Sequence, residues 1–428
     1  MKKVFFGWYI MAATLLLLTY NSVVFVYGFT AFMSPIITSL GYSSAQVSLA
    51  SSIRGLEVGG LDPFVGAAAD RWSSKRLMLI GIIIFALGII CISQSANLAV
   101  FYAGFLIVGL GGSICITVVP NTVIARWFRK NIGKASGIMA TGVAIGGVFT
   151  PLVVKAIDNF GWQNTLLYMA IGMLAVGIPL SFLFRSRPED YGLSPDGTAQ
   201  TDNEDLNIED SGVSVKEALK MRAFWFISLG TMLQMMPMHA LTIHMMPYLE
   251  SIGIERDLAA IAVTIFAIIT IPTRLLYGAA ADMYSKKYVL VFSMILTTAG
   301  LLVFHFLDGS SFVMVVVFTV VYGIGAAGVT PLRTPILRDY FGIKKFGTIF
   351  GLNAFFITVG AVIGAPIAGW VYDMRAVYDP IWLIFSGLVV AGMILIILLP
   401  PHPGSKSAVP KLTSLLTRFR RNRKESIT

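Results

Sequence analysis

Apolar runs long enough to cross a bilayer recur along almost the whole of this chain, and no other feature restricts its fold so severely. Spanning about 30 Å of hydrocarbon takes roughly 20 helical residues at about 1.5 Å each. Such runs fall at residues 6–33, 44–69, 77–95, 98–125, 135–157 and 163–184, and again at 222–250, 257–281, 288–307, 311–337, 346–372 and 379–400. Only 13% of the 428 residues are charged and 56% are hydrophobic, whereas roughly a quarter are charged in a soluble domain. In hydrocarbon each backbone N–H and C=O must be paired within its own segment, which leaves helices as the natural solution for runs of this length. The expectation is an all-α membrane protein with twelve transmembrane helices in two sets of six.

A repeated stretch sets the two sets in register. Gly66 to Arg76 reads GAAADRWSSKR, and GAAADMYSKK returns 212 residues later from Gly278 to Lys287. Each copy follows an apolar run and precedes another. Its glycine and alanines make a helix end slim enough for a neighbouring backbone to approach closely. A second echo pairs GKASGIMATGVAIGG from Gly133 with GTIFGLNAFFITVGAVIG from Gly347. The halves expected are therefore residues 1–184 and 222–400, pseudo-symmetric and joined by a linker at 185–221.

Charge gives the orientation. Of 32 Lys and Arg, 26 lie at the amino terminus, after even-numbered runs or in the tail. By the positive-inside rule both termini face the cytoplasm, as expected for a protein of the cell's inner (plasma) membrane. The net charge of +10 thus belongs to a membrane surface and not to a nucleic-acid partner. The linker is polar and acidic around Asp202 to Asp210 and reads as an unstructured tether, with a short surface helix near Lys216 to Met221. In the tail, 401–428, Leu412, Leu415, Leu416 and Phe419 share a helical face among basic residues. That pattern suits either a helix on anionic inner-leaflet lipid or a solvated basic tail. After Lys2 and Lys3 the first run is too long for a removable signal peptide. Two cysteines inside runs and four scattered histidines predict no disulfide, metal or cofactor.

Ionisable residues within apolar runs are costly and so are the first functional candidates. Arg274 lies eight residues before Asp282, about 12 Å along its helix. Its guanidinium suits either a two-pronged clamp for a carboxylate or a structural ion pair. Arg54 and Glu57 share a helix face and either neutralise each other or carry a proton-coupling step. Asp62 is eight residues before Asp70, as Arg274 is before Asp282, so those two stand at equal depth. Arg333, five residues before Arg338, reads as an arginine that snorkels to the interface. Uncharged candidates for lining a central cavity are Tyr20, Asn21, Tyr27, Thr117, Asn121 and Tyr322, with His244 as a titratable group. For each taken singly, a satisfied packing or interfacial role is the favoured reading.

GAAADRWSSKR, the run Ile271-Pro272-Thr273-Arg274-Leu275-Leu276-Tyr277-Gly278, the run Gly41 to Ser48 and RPEDYGL at Arg187 to Leu193 together resemble the major facilitator superfamily. Within it they are similar to the monocarboxylate transporter and oxalate/formate antiporter group. The resemblance implies that Arg274 binds a substrate carboxylate. It also implies a cytoplasmic gate at Gly66, Asp70, Arg71, Arg76, Gly278 and Asp282, with Asp70 meeting the positive end of a helix in the opposite half. Two departures stand out: Thr270 replaces the aspartate found four residues before the arginine in animal-type relatives, and no Lys or Arg lies between Phe346 and Tyr372.

The function expected is secondary transport of a small organic anion, a monocarboxylate first of all, coupled to a proton and working by alternating access. An organic-anion antiporter is a rival, and so is an exporter of amphipathic drugs, favoured by Met232, Met235, Met236, Met238, Met245 and Met246. A sensor that does not transport lacks its output domain. An enzyme lacks any nucleophile and base in recognisable arrangement.

Overall fold

A computed structural model describes residues 5–26, 28–42, 44–197, 212–308, 311–375 and 379–400. The chain is helical nearly throughout, in twelve consecutive spans. The first joins α1 (Gly7–Asn21), a π-helical turn at Ser22–Val26 and α2 (Gly28–Leu40); the second is α3 (Ser44–Ala69) and the third α4 (Ser74–Ser93). The fourth joins α5 (Leu98–Gly112), a π-helical turn at Ser113–Val118 and α6 (Val119–Trp127). The fifth and sixth are α7 (Ile132–Val148) and α8 (Thr150–Ser181), with the boundary at Gly161 inside α8. There φ is 79° and ψ is 160°, a conformation that glycine adopts without the strain a Cβ brings. After a short helix, α9 (Val215–Lys220), come α10 (Arg222–Ser251), α11 (Arg256–Met283) and α12 (Lys286–His305). The tenth span is α13 (Phe312–Ala326) with α14 (Val329–Phe341), followed by α15 (Phe346–Arg375) and α16 (Asp379–Ile397).

Nine described helices are each long and apolar enough to cross a membrane, and α10, bent by 65° between Arg222–Thr242 and His244–Ser251, makes a tenth. The two that read as less membrane-like have physical reasons to do so. The sequence of α3 contains Arg54, Glu57 and Asp62. Helix α7 has only 17 residues before the break at Phe149. The first span is longer than the apolar run suggested, since α2 continues through Pro35 to Leu40.

Each half carries its own aromatic core. In the first, Phe25 meets Phe85 and Phe105 edge to face. In the second, Phe304 stacks on Phe318 with centroids 4.0 Å apart, and Tyr248 and Trp382 close around it. Tyr322 belongs to this second core. It is wholly buried, stacks on Phe266 and Phe318 at interplanar angles of 27° and 29°, and packs its backbone against Gly300 of α12. Its hydroxyl has no hydrogen-bond partner among the described residues. The expectation that Tyr322 lines a central cavity is therefore corrected: its position on α13 turns it into the packing of its own half.

The linker also departs from expectation over 185–197, which is folded. Arg185 lies between the rings of Phe6 and Tyr191, at 3.9 and 4.1 Å, and its carbonyl accepts from the Trp127 indole at 2.9 Å. Asp196, at φ 60°, accepts from the backbone N–H groups of Arg129, Lys130 and Asn131 and from the Asn131 amide, at 2.5–3.2 Å. Acidic composition thus supplies an acceptor that gathers the donors of one loop. At the other end of the linker, Val213 N–H donates to the Phe341 carbonyl at 3.1 Å, and Ser214 and Glu217 form a reciprocal cap on α9. The bonds from Ser214 hold the Glu217 carboxyl below the usual carboxylate range. The acidic cluster at 202–210 and the basic tail at 401–428 lie outside the described residues. Asp196→Ala is expected to lower stability by about 0.5–1.5 kcal/mol, because it removes the acceptor that ties this loop together while the exposed N–H groups turn to water. Thermal unfolding of the purified protein checks this, with Asp196→Asn expected to lose less.

Candidate functional site

The two halves meet along two pairs of helices related by the internal repeat. In one, Gly66 and Asp62 of α3 lie against Gly347 and Gly351 of α15; in the other, Gly278 and Arg274 of α11 lie against Gly133 and Gly137 of α7. The approach is so close that a Cβ at Gly66 would overlap the Gly347 carbonyl, and one at Gly278 the Gly133 carbonyl. Small residues here let two backbones touch, which is the source of association where lipid is as apolar as the helices themselves.

Each pair ends in a carboxylate that closes a helix terminus. Asp70 accepts from Gly347 N–H at 2.9 Å, Thr348 N–H at 3.0 Å and Thr348 Oγ1 at 2.7 Å, at the start of α15. Asp282 accepts from Gly133 N–H at 2.6 Å and Lys134 N–H at 2.8 Å, at the start of α7. Free N–H groups and the helix dipole both favour a negative charge there. The two closures are not equal. Arg126, 6% exposed, lies 3.6 Å from the Asp70 carboxylate and donates to the Ala69 carbonyl at 3.2 Å. Asp282 has no ion pair of that kind among the described residues; Lys134 and Lys286 act on it only at longer range. Arg71, on the turn after α3, and Arg76, in the first turn of α4, are exposed, and neither bonds to Asp70 or Asp282 among the described residues.

About 12 Å above these closures lies a polar layer. Arg274, 8% exposed, reaches across the halves from α11 and donates from Nη1 to the Ala140 carbonyl of α7 at 2.8 Å. Asp62, 1% exposed, accepts from Ser113 Oγ at 2.5 Å, in the π-helical turn of the fourth span. The charged neighbour that acts on Asp62 is Arg333 and not Arg274, so equal depth along α3 and α11 does not make a pair. Arg333 is itself a correction. It does not snorkel out; its side chain turns inward onto α15, where Nε donates to Asn353 Oδ1 at 2.8 Å and Nη2 to the Phe350 carbonyl at 3.0 Å. Its distance from Arg338 in sequence gave no sign of this, since the direction of a side chain around a helix is not set by its depth.

Other candidates are scattered. Asn121 bridges the halves, accepting from Thr334 Oγ1 of α14 at 2.7 Å while its amide donates to the Thr117 carbonyl. Tyr20 donates to the Met169 carbonyl at 2.5 Å within the first half, which engages its hydroxyl. Asn21 is buried at the end of α1. His244 is partly buried at the bend of α10, beside Gly369 of α15. Tyr27 and the side chains of Arg54 and Glu57 lie outside the described residues.

A model of the family described as "Major Facilitator Superfamily" matches residues 15–260 and 229–425. The chain belongs to the major facilitator superfamily. Among its curated relatives, monocarboxylate transporter 13 of Bos taurus is 22% identical over 380 residues, covering 87% of this chain and 84% of that protein. The agnestins efflux protein AgnL12 of Paecilomyces divaricatus is 25% identical over 352 residues, covering 81% and 76%. Among solved structures, the Escherichia coli fucose:proton symporter FucP superposes with a TM-score of 0.68 at 15% identity, over 91% of this chain and 98% of that one. This superfamily member is thus a multi-pass membrane transporter of small molecules with the twelve-helix architecture.

Proposed function

We propose that the chain is a secondary transporter of a small organic anion, a monocarboxylate first of all, moved together with a proton by alternating access. The observation that carries the reading is Arg274, a buried guanidinium at the seam between the halves that donates to the Ala140 carbonyl of the opposite half. A guanidinium is always charged and presents parallel donors to a carboxylate. A substrate that takes over donors at the seam changes how the halves hold together, which is what a rocking transporter requires. The likeness to monocarboxylate transporters supports the same substrate class. The basic loops assign the Asp70 and Asp282 closures to the cytoplasmic side, so the conformation described is closed toward the cytoplasm.

Proton coupling falls to Asp62, a buried carboxylate of α3 held by Ser113 of the fourth span. A second reading, export of amphipathic compounds, has the likeness to an efflux protein and the methionines of α10 behind it.

The test is uptake of labelled lactate by purified protein in liposomes, with and without an inward proton gradient. Uptake is expected to rise with the gradient and to fall at least tenfold in Arg274→Ala. Uptake unchanged in that variant removes Arg274 from the site. Dye efflux with no carboxylate uptake favours the exporter.

A further inference from the structure

Arg333 is held by α15 through two hydrogen bonds and a ring contact, and neither the family motifs nor its place in the sequence marks it. Its guanidinium lies 3.8 Å from the centroid of the Phe350 ring, and its Nε and Nη2 are fixed by Asn353 and the Phe350 carbonyl. Asn353, wholly buried, is oriented in turn by donating to Ser228 Oγ of α10 at 3.2 Å. Three helices, α10, α14 and α15, therefore set the plane of one side chain. The two bonds occupy the edge that Nε shares with Nη2. Nη1 makes no hydrogen bond among the described residues, and Arg333 is half-buried where Arg274 is buried. The end-on edge, Nη1 with Nη2, keeps donors whose spacing matches the two oxygens of a carboxylate.

The charge of Arg333 is balanced at a distance. Asp62, held by Ser113 on the other half, acts on it electrostatically but lies beyond ion-pair distance. A fixed plane, an open edge and a counter-charge that does not fill it describe a receptor for an anion. A structural ion pair would close that edge.

We propose that Arg333 is a second anion-receiving residue of the central site, taking a substrate carboxylate end-on through Nη1 and Nη2, with Asp62 as the counter-charge of the empty state. The proposal rests on the carboxylate-transport reading and extends the site from α11 to α14. Preorganisation is the physical gain: the guanidinium loses little rotamer freedom on binding, because α15 has already fixed it.

Uptake of lactate and of succinate is measured in liposomes for wild type, Arg333→Gln, Arg333→Lys, Asp62→Asn and the double variant Asp62→Asn/Arg333→Gln, with gel filtration to confirm folding. Arg333→Gln is expected to raise KM at least tenfold for the transported acid. Arg333→Lys keeps the charge and loses the fork; it is expected to raise KM about threefold, and it serves if the glutamine variant does not fold. The double variant is read by lactate counterflow at equal pH on both sides, where the Asp62 proton site is not required, and is expected to stay as impaired as Arg333→Gln, since the receptor is gone whether or not Asp62 is charged. Recovery of counterflow in the double variant would show that Arg333 only neutralises Asp62 and would overturn the proposal. So would a KM within twofold of wild type in Arg333→Gln and Arg333→Lys. If Arg274→Ala abolishes uptake while Arg333→Gln keeps it, this proposal falls and the carboxylate reading stands. If wild type takes up neither acid, both fall.

Discussion

In Asp70→Ala, a cysteine placed at Thr122 is expected to react with a membrane-impermeant maleimide from the basic-loop side at least tenfold faster than in the parent. Thr122 is wholly buried, and its hydroxyl lies beside Gly347 where α15 docks. The substitution removes an acceptor for three donors at the start of α15 and leaves Arg126 buried without its partner. Breaking a buried charge pair on one side costs about 3–5 kcal/mol. Only part of that cost falls on the closed conformation, because Arg126 and Asp70 belong to the same half and stay together when the halves part. The three hydrogen bonds to α15 do not survive opening. At about 1.4 kcal/mol per factor of ten, two or more such bonds account for the expected change. Asp282→Ala is expected to give a smaller increase, because Asp282 closes two donors and anchors no buried arginine. Equal rates in the two variants would show that neither the Thr348 hydroxyl nor Arg126 adds to the closure.

Gly278→Ala is expected to impair closure although it adds a single methyl group. The new Cβ would overlap the Gly133 carbonyl, and the next atom it meets, the Gly137 Cα, is also backbone. Backbone atoms of a helix cannot turn aside as a side chain can, so α11 and α7 must separate, at a cost of about 1–3 kcal/mol. The expected results are faster labelling at the Thr122 cysteine and a lower unfolding temperature. Gly387→Ala is the control, since that glycine of α16 has open space where a Cβ would go, and it is expected to change neither.

Much of this interface is legible in the amino-acid sequence because it is repeated. The Gly66 and Gly278 copies, each four residues before an aspartate, and the Gly133 and Gly347 copies that receive them, name the four helices of the two repeat-related pairs. Charge told less. The arginine at Arg333 and the aspartate at Asp62 are brought into range by rotation around α14 and by the π-helical turn that presents Ser113, and neither leaves a periodic mark. A π-helical turn adds a residue to the ring and shifts the faces that follow it. Tyr322 shows the same limit from the other side, since a tyrosine on a predicted cavity helix belongs to the aromatic packing of its half. The folded stretch 185–197 was hidden by composition: its acidic residues look like solvated linker until Asp196 is seen to hold the loop before α7.

The central claim is that a carboxylate drives the two halves apart on the side now closed. It is tested most directly by the distance between spin labels at Ser73→Cys and Ser285→Cys, exposed positions on the turns after α3 and α11, with Cys91 and Cys115 replaced. In liposomes, lactate is expected to add a longer-distance population that its neutral amide does not produce and that Arg274→Ala abolishes. A distance distribution unchanged by lactate, by other monocarboxylates and by dicarboxylates would contradict the account.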